Sequence, residues 1–221
     1  MRKLLILTIG CILLCGCRMD EAKLAETLYD TLKEQESMDT VPVSNMSKNY
    51  YSYYLPKSVG RLKSDELSTV LLKDNYKLIM NFDASQIVIN EFYNKDISTN
   101  EPIDLKITKD AGDSLIFDGS FMNVYRVNHP YTLKVEKLEN SKWMMKLEAD
   151  YLLFTTIVPY AELPTMIEDC FTIARSLRYD SKMVLDNFSL KSANEAVKKK
   201  LEELNKELPT DGYLKDLETG N

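Results

Sequence analysis

The sequence predicts an α+β fold, an antiparallel β-sheet with a helix packed on one of its faces. Three observations predict it. From Asn49 to Val158 the apolar, β-branched and aromatic residues come in short runs of strand length. Two pairs of these runs are joined by short polar turns, Lys73-Asp74-Asn75 and Glu139-Asn140-Ser141, as in hairpins. After Pro164 the apolar spacing lengthens to three and four residues, the period of a buried helix. Strands first and helices after is not the alternation of a doubly wound nucleotide-binding sheet.

Ahead of the sheet, residues 21–34 carry Leu24, Leu28 and Leu32 among Glu, Lys and Thr, a helix with a narrow apolar stripe. The stripe docks on the domain, docks on another protein, or leaves the helix as a stalk. Val41-Pro42-Val43-Ser44-Asn45 reads as a linker. Residues 50–55 form a strand, and 68–72 with 76–82 the first hairpin. Residues 86–93 read as a further strand, with Ile87 and Ile89 on one face and Val88 and Phe92 on the other. A loop over 96–102 leads to shorter strands at 103–108, 114–117 and 121–125, the last two divided at Asp118-Gly119. Residues 131–138 and 142–149 make the second hairpin. Residues 151–158 are one more strand, or the same one continued past a kink.

Pro164 suits the first turn of the helix that follows. Leu163, Met166, Ile167, Cys170, Phe171, Ile173, Ala174 and Leu177 give that helix a broad apolar face. Arg175 and Arg178 fall near its C-terminal end, where cations suit the dipole. A short segment, 181–190, leads to Ser192-Ala193-Asn194-Glu195, a capping box opening a terminal amphipathic helix with Val197, Leu201, Leu204 and Leu208. Pro209 stops it, and a polar tail follows.

The chain has 221 residues, 28 Lys+Arg against 34 Asp+Glu and a net charge of −6. With 44% hydrophobic residues it can build a core, so it is not a disordered acidic tail. A single histidine argues against a His-rich metal site. The acidic balance gives no reason to seek nucleic acid.

The amino end has its own grammar. Arg2 and Lys3 precede an apolar run over 4–14 broken only by Thr8 and Gly10. That is the charged and apolar layout of a secretory signal, and about 11 apolar residues are too few to span a bilayer. The run ends Leu14-Cys15-Gly16-Cys17. Here the chain resembles a bacterial lipoprotein precursor: Leu14, Gly16 and Cys17 hold the places of the lipobox, with Cys15 where Ala or Ser is more usual. A competing site at Cys11 would have Thr8 in place of Leu and too short an apolar run. The resemblance implies cleavage after Gly16, a diacylglycerol and further fatty acyl chain on Cys17, and a protein held at the extracytoplasmic face of the cell membrane. Two or more acyl chains give stable attachment where one is marginal.

Loss of residues 1–16 would leave 205 residues and, with Arg2 and Lys3 gone, a net charge of −8. Cys170 would be the one remaining free thiol, so no intramolecular disulfide could form. The organisation that follows is a leader over 1–16, an anchor, membrane-proximal helix and linker over 17–48, an α+β domain over 49–190, and a C-terminal helix with its tail over 191–221.

Chemistry is sparse. His129, in Val127-Asn128-His129-Pro130-Tyr131, sits in a turn or at the start of a strand with no nucleophile motif beside it, and reads as an ordinary loop histidine. Cys170 falls on the apolar helix face, where a thiol is inert. No zinc constellation, calcium loop or phosphate-binding glycine loop is legible, so neither metal nor cofactor is expected; Lys109-Asp110-Ala111-Gly112-Asp113 offers only two acids. Glu168-Asp169 and Glu202-Glu203 read as solvated helix faces. The feature that stands out is Tyr50, Tyr51, Tyr53 and Tyr54, which put aromatic rings on both faces of one strand. One face is a candidate binding surface; the alternative is a strand covered on both sides.

The expectation is an exported, lipid-anchored, non-catalytic binding or assembly module with an envelope protein partner. The alternative is a lipoprotein that binds glycan or a small solute, and a third reading is an enzyme acting on cell-wall material.

Overall fold

The computed structural model describes residues 21–93, 95–99, 101–110, 112 and 114–188. The leader, Cys17 and the helix and tail expected over 191–221 lie outside them. Among the described residues no helix is long and apolar enough to cross a membrane.

The centre of the fold is an eight-stranded antiparallel sheet built from β3 (Val59–Ser64), β4 (Ser68–Lys73), β5 (Tyr76–Phe82), β6 (Lys106–Lys109), β7 (Leu115–Met122), β8 (Asn128–Lys137), β9 (Lys142–Ala149) and β10 (Leu152–Pro159). Its order is β3-β4-β5-β10-β9-β8-β7-β6. After β5 the chain crosses to the far edge, enters β6 and returns by hairpins until β10 pairs with β5, Phe154 opposite Met80. The tight turns use residues that tolerate left-handed backbone: Asp74 at φ 53°, Asn140 at φ 59° and Asp150 at φ 55°. The last of these makes β10 a separate strand folded back on β9, rather than β9 continued.

Alternation then sorts the side chains. Phe117, Phe121, Leu133, Val135, Met145, Leu147, Phe154 and Leu78 point to one face, and all are buried. Helix α1 (Glu21–Ser37) and the helix after β10, residues Leu163–Arg175, cover that face; a shorter helix, α2 (Ala84–Phe92), lies between β5 and β6 in the chain, so the Leu163–Arg175 helix is α3. Every residue of the apolar face expected for α3, Leu163 through Leu177, is 0% exposed. Phe171 drives it onto the sheet, edge-on to Phe121 at 5.5 Å and to Tyr131 at 4.9 Å.

The stripe on α1 docks on the domain. Leu24, Leu28 and Leu32 are each 0% exposed and belong to the same core as the sheet, so a boundary at 48/49 does not separate two folded units. The helix runs parallel to α3. Its start is tied by Glu21 to Lys109 at the end of β6, and Thr27 Oγ1 lies 3.4 Å from the Tyr160 hydroxyl just ahead of α3. Its end is tied to the opposite end of the sheet, where Tyr131 donates to Glu36 Oε1 at 2.9 Å.

A small second sheet, β1 (Met46–Ser47), β2 (Tyr51–Tyr53) and β11 (Arg178–Tyr179), in the order β1-β2-β11, lies against the large one, and α4 (Ser181–Phe188) follows it. Tyr51 stacks on Phe82 of β5 at 4.3 Å.

Several expectations need correction. Residues 86–93 are not a strand but most of α2: the Asp83 carboxylate accepts the Gln86 N–H at 2.8 Å and caps the helix, which buries Ala84, Ile87 and Val88 at helical spacing. Asp118-Gly119 does not divide two strands, because β7 runs straight through them. Gly119 is there for room: a Cβ would fall 2.2 Å from Glu36 Oε1 and 2.7 Å from the Tyr131 hydroxyl. The segment from Ser181 is helical, and β3 is a strand with no expectation behind it. His129 is not an ordinary loop histidine; it is a buried residue of β8.

The Asp110 turn between β6 and β7 is held by its carboxylate. Oδ1 accepts the N–H groups of Gly112 at 2.9 Å and Ser114 at 3.0 Å, and Oδ2 accepts Lys134 Nζ at 2.6 Å. Led by the Lys134 contact, these bonds hold the carboxyl down at about 2. A carboxyl depressed in the folded state stabilises fully above the ordinary carboxylate range, and that contribution is lost as pH falls through about 2. Asp110→Asn is therefore expected to flatten the fall in melting temperature between about pH 4.5 and about pH 2 relative to wild type. Identical acid profiles for the two proteins would show that this carboxylate has no such part.

Candidate functional site

The tyrosine-rich strand is core. Tyr51 and Tyr53, the candidate binding face, are 3% and 0% exposed, and Tyr50 is 7% exposed with only Tyr54 partly open. Tyr51 and Tyr53 face the large sheet; Tyr50 faces α4, edge-on to Phe188 at 4.9 Å. Both faces of β2 carry rings because both are covered. Truncating these rings would hollow the core rather than strip a surface. The Cys170 thiol is also buried, and burial pushes its pKa well up.

Exposed aromatic rings occur elsewhere. Phe92 is 59% exposed, Tyr93 55% and Tyr125 49%. Phe92 and Tyr93 stand together where α2 ends, and Tyr125 lies where β7 turns into β8, beside Arg178 of β11. A cleft of about 400 Å³ opens there, lined by Ile87, Asn90, Lys95, Asp96, Tyr151 and Tyr179 among others. A second cleft of about 220 Å³ shares Tyr151 and includes Gln86, Asp150 and Thr132.

The floor is polar and already organised. Gln86 Nε2 donates to Asn90 Oδ1 at 2.6 Å, and Asn90 Nδ2 donates to the Tyr151 hydroxyl at 3.3 Å. The Tyr151 ring in turn packs against that of Tyr179, 5.0 Å away at 74° between the planes. Burial is the main reason both phenols are pushed up in pKa, so both remain neutral donors at any ordinary pH. Asp96 is held below the usual carboxylate range, chiefly by the backbone N–H of Ser98. Next to these lining residues, Phe92 and Tyr93 meet edge to face at 5.1 Å, Lys95 Nζ lies 5.6 Å over Tyr93, and the Arg178 guanidinium lies 5.9 Å over Tyr125.

Beneath this surface lies a closed pair. His129 Nδ1 is 3.2 Å from Asp150 Oδ1, with side-chain exposures of 9% and 0%. Asn123 reaches the other oxygen of Asp150 at 3.5 Å while its own Oδ1 accepts the N–H of Tyr125 at 2.9 Å. The pair joins β8 to the β9–β10 turn, and Asn123 shapes the loop that carries Tyr125. Among the described residues no group of three or more His, Cys, Asp and Glu is placed to hold a metal ion.

No local signal joins the residues of the cleft. They come from α2, the loop after it, the Asp150 turn and β11, and only the crossover topology brings them together. Nor do known proteins supply the link: no family model matches the chain, and no curated protein matches its sequence.

Proposed function

We propose that the chain is a lipid-anchored lipoprotein of the extracytoplasmic membrane face, a non-catalytic binding module held to the bilayer at one end and open to its ligand at the other. The observation that carries the anchor is the short apolar run closed by Leu14-Cys15-Gly16-Cys17, and the burial of Leu24, Leu28 and Leu32 sets how the body stands on it. That burial makes α1 a strut within the body instead of a free stalk. Glu21 follows Cys17 by four positions, a reach of at most about 14 Å, so an acylated Cys17 keeps the start of α1 close to the headgroups. The 17 residues of α1 then span about 25 Å, and the aromatic cleft lies beyond its far end. Binding rather than catalysis is favoured because the side chains of the one histidine and its acid partner are buried, at 9% and 0% exposure, although the Asp150 turn borders the smaller cleft.

The test is Cys17→Ala in the full chain. The native protein is expected in the detergent phase with acyl mass on Cys17. The variant is expected as a precursor still carrying its leader, or released to the medium. A variant of normal mature size that stays in the detergent phase would sink the anchor.

A further inference from the structure

We propose that the cleft between α2 and β11 binds a stretch of neutral glycan chain, with pyranose rings seated against Tyr93 and Tyr125 and their hydroxyls on the polar floor. The inference deepens the anchored binding module and rests on that reading for its placement in the envelope. Three observations select this ligand.

The first is the division of labour within the cleft. The cleft offers amide, hydroxyl and carboxylate groups from Asn90, Tyr151, Tyr179 and Asp96, while the rings open to water stand beside it: Tyr93, 5.6 Å from Nζ of the lining Lys95, and Tyr125, 5.9 Å from the Arg178 that precedes Tyr179. A sugar ring has the same two-sidedness. Its equatorial hydroxyls need donors and acceptors, and its C–H face carries the slight positive charge that suits an electron-rich ring. A protein interface places its rings in a desolvated centre with the polar groups around the edge. Here the polar groups line the cleft and the open rings stand beside it.

The second is charge. Lys95 in the cleft and Arg178 beside Tyr125 are matched by Asp96 and Glu91, so no excess of cation is present to select an acidic solute. The third is dimension and direction. About 400 Å³ lies within the range of sites that enclose small ligands, enough for a few sugar units of a longer strand. The cleft also faces the side away from the bilayer in the proposed orientation, where wall glycan lies.

The experiment uses the full lipidated chain in detergent micelles, with β-1,4-linked tri-N-acetylglucosamine as probe and calorimetric titration as readout. Binding with a Kd of about 1 mM or tighter is expected. Tyr93→Ala and Tyr125→Ala should each weaken it about fivefold or more while leaving the thermal melt unchanged, since both rings are at least half open to solvent or close to it. Tyr179→Phe, which keeps the ring and removes the hydroxyl, should also weaken binding. The same preparation reports separately on the anchor through its phase partition. No heat at about 10 mM probe, from protein that partitions into detergent, would overturn the glycan inference and leave the anchored module standing. Equal affinity in wild type and both alanine variants would overturn it as well. So would a protein crosslinked in cells through positions 93 and 125 when the trisaccharide does not bind, because the open rings would then belong to a protein partner.

Discussion

Gly119→Ala is expected to destabilise the protein by about 3 kcal/mol although it adds a single methyl group. The added Cβ would lie 2.2 Å from Glu36 Oε1, 2.7 Å from the Tyr131 hydroxyl and 2.8 Å from Tyr131 Cζ. Glu36 can give way, since its side chain is partly open at 13% exposure. Tyr131 cannot: it is 2% exposed and stands edge-on against Phe171 of α3. Forcing it aside brings an overpacking cost of about 1–3 kcal/mol and strands a buried hydroxyl, which costs a further 1–3 kcal/mol or so. The Glu36 contact that closes the far end of α1 goes with it. Equilibrium unfolding in denaturant measures the loss, and a double-mutant cycle identifies its source. In a Tyr131→Phe background the hydroxyl is gone, so Gly119→Ala should cost at least about 1 kcal/mol less. Additive effects would mean that the two residues do not compete for the same space.

That glycine also marks what was hard to read. Asp118-Gly119 has the composition of a turn, but the residue is small because α1 and β8 close on it from two sides, and no local pattern records a neighbour distant in the chain. The two polar hairpin turns and the apolar face of α3 were legible because each is set by contacts within a few residues or by one unbroken period. The stripe on α1 was visible too, though not the surface it would meet. Helix α2 was misread because over seven residues Ile87, Val88, Ile89 and Phe92 satisfy a period of two as readily as one of 3.6. The deciding signal was present in Asp83 and Gln86, an acidic cap with a glutamine three positions on. The tyrosines of β2 announced an aromatic surface at the wrong place. Their alternation gave the two faces correctly, but burial depends on Phe82 and Phe188, which come from β5 and α4. Tyr125 and Tyr179 are single rings in unremarkable surroundings until the fold sets them near one cleft.

The largest single-residue effect is expected at Arg175. It is 2% exposed, sits in the last turn of α3, and has no carboxylate within ion-pair distance among the described residues. An isolated buried cation is costly, and burial does push its pKa down. The counter-charge comes from backbone. Because α1 and α3 run parallel, their C-terminal ends meet here, and the carbonyls of their last turns carry partial negative charge. Arg175 donates through Nη2 to the carbonyl of Gln35 in the last turns of α1 and reaches Met38 Sδ through Nη1 at 3.8 Å. This one side chain of α3 therefore binds the last turn of α1 and fastens the strut to α3. Arg175→Ala removes that bond, leaves the Gln35 carbonyl with only the long 3.3 Å bond from the Met38 N–H and opens a cavity, for a loss of about 4 kcal/mol and a melting temperature lower by about 10 °C. Arg175→Met separates the causes. It fills most of the volume and removes the cost of burying a charge, so it should lose only about 1–2 kcal/mol, the part owed to the carbonyl and the helix ends. If methionine costs as much as alanine, the cation is the stabilising element and packing is secondary. If both variants melt within about 1 °C of wild type, the two helix ends do not depend on this side chain, and the rigid link between the proposed anchor and the cleft must be sought in the leucine stripe alone.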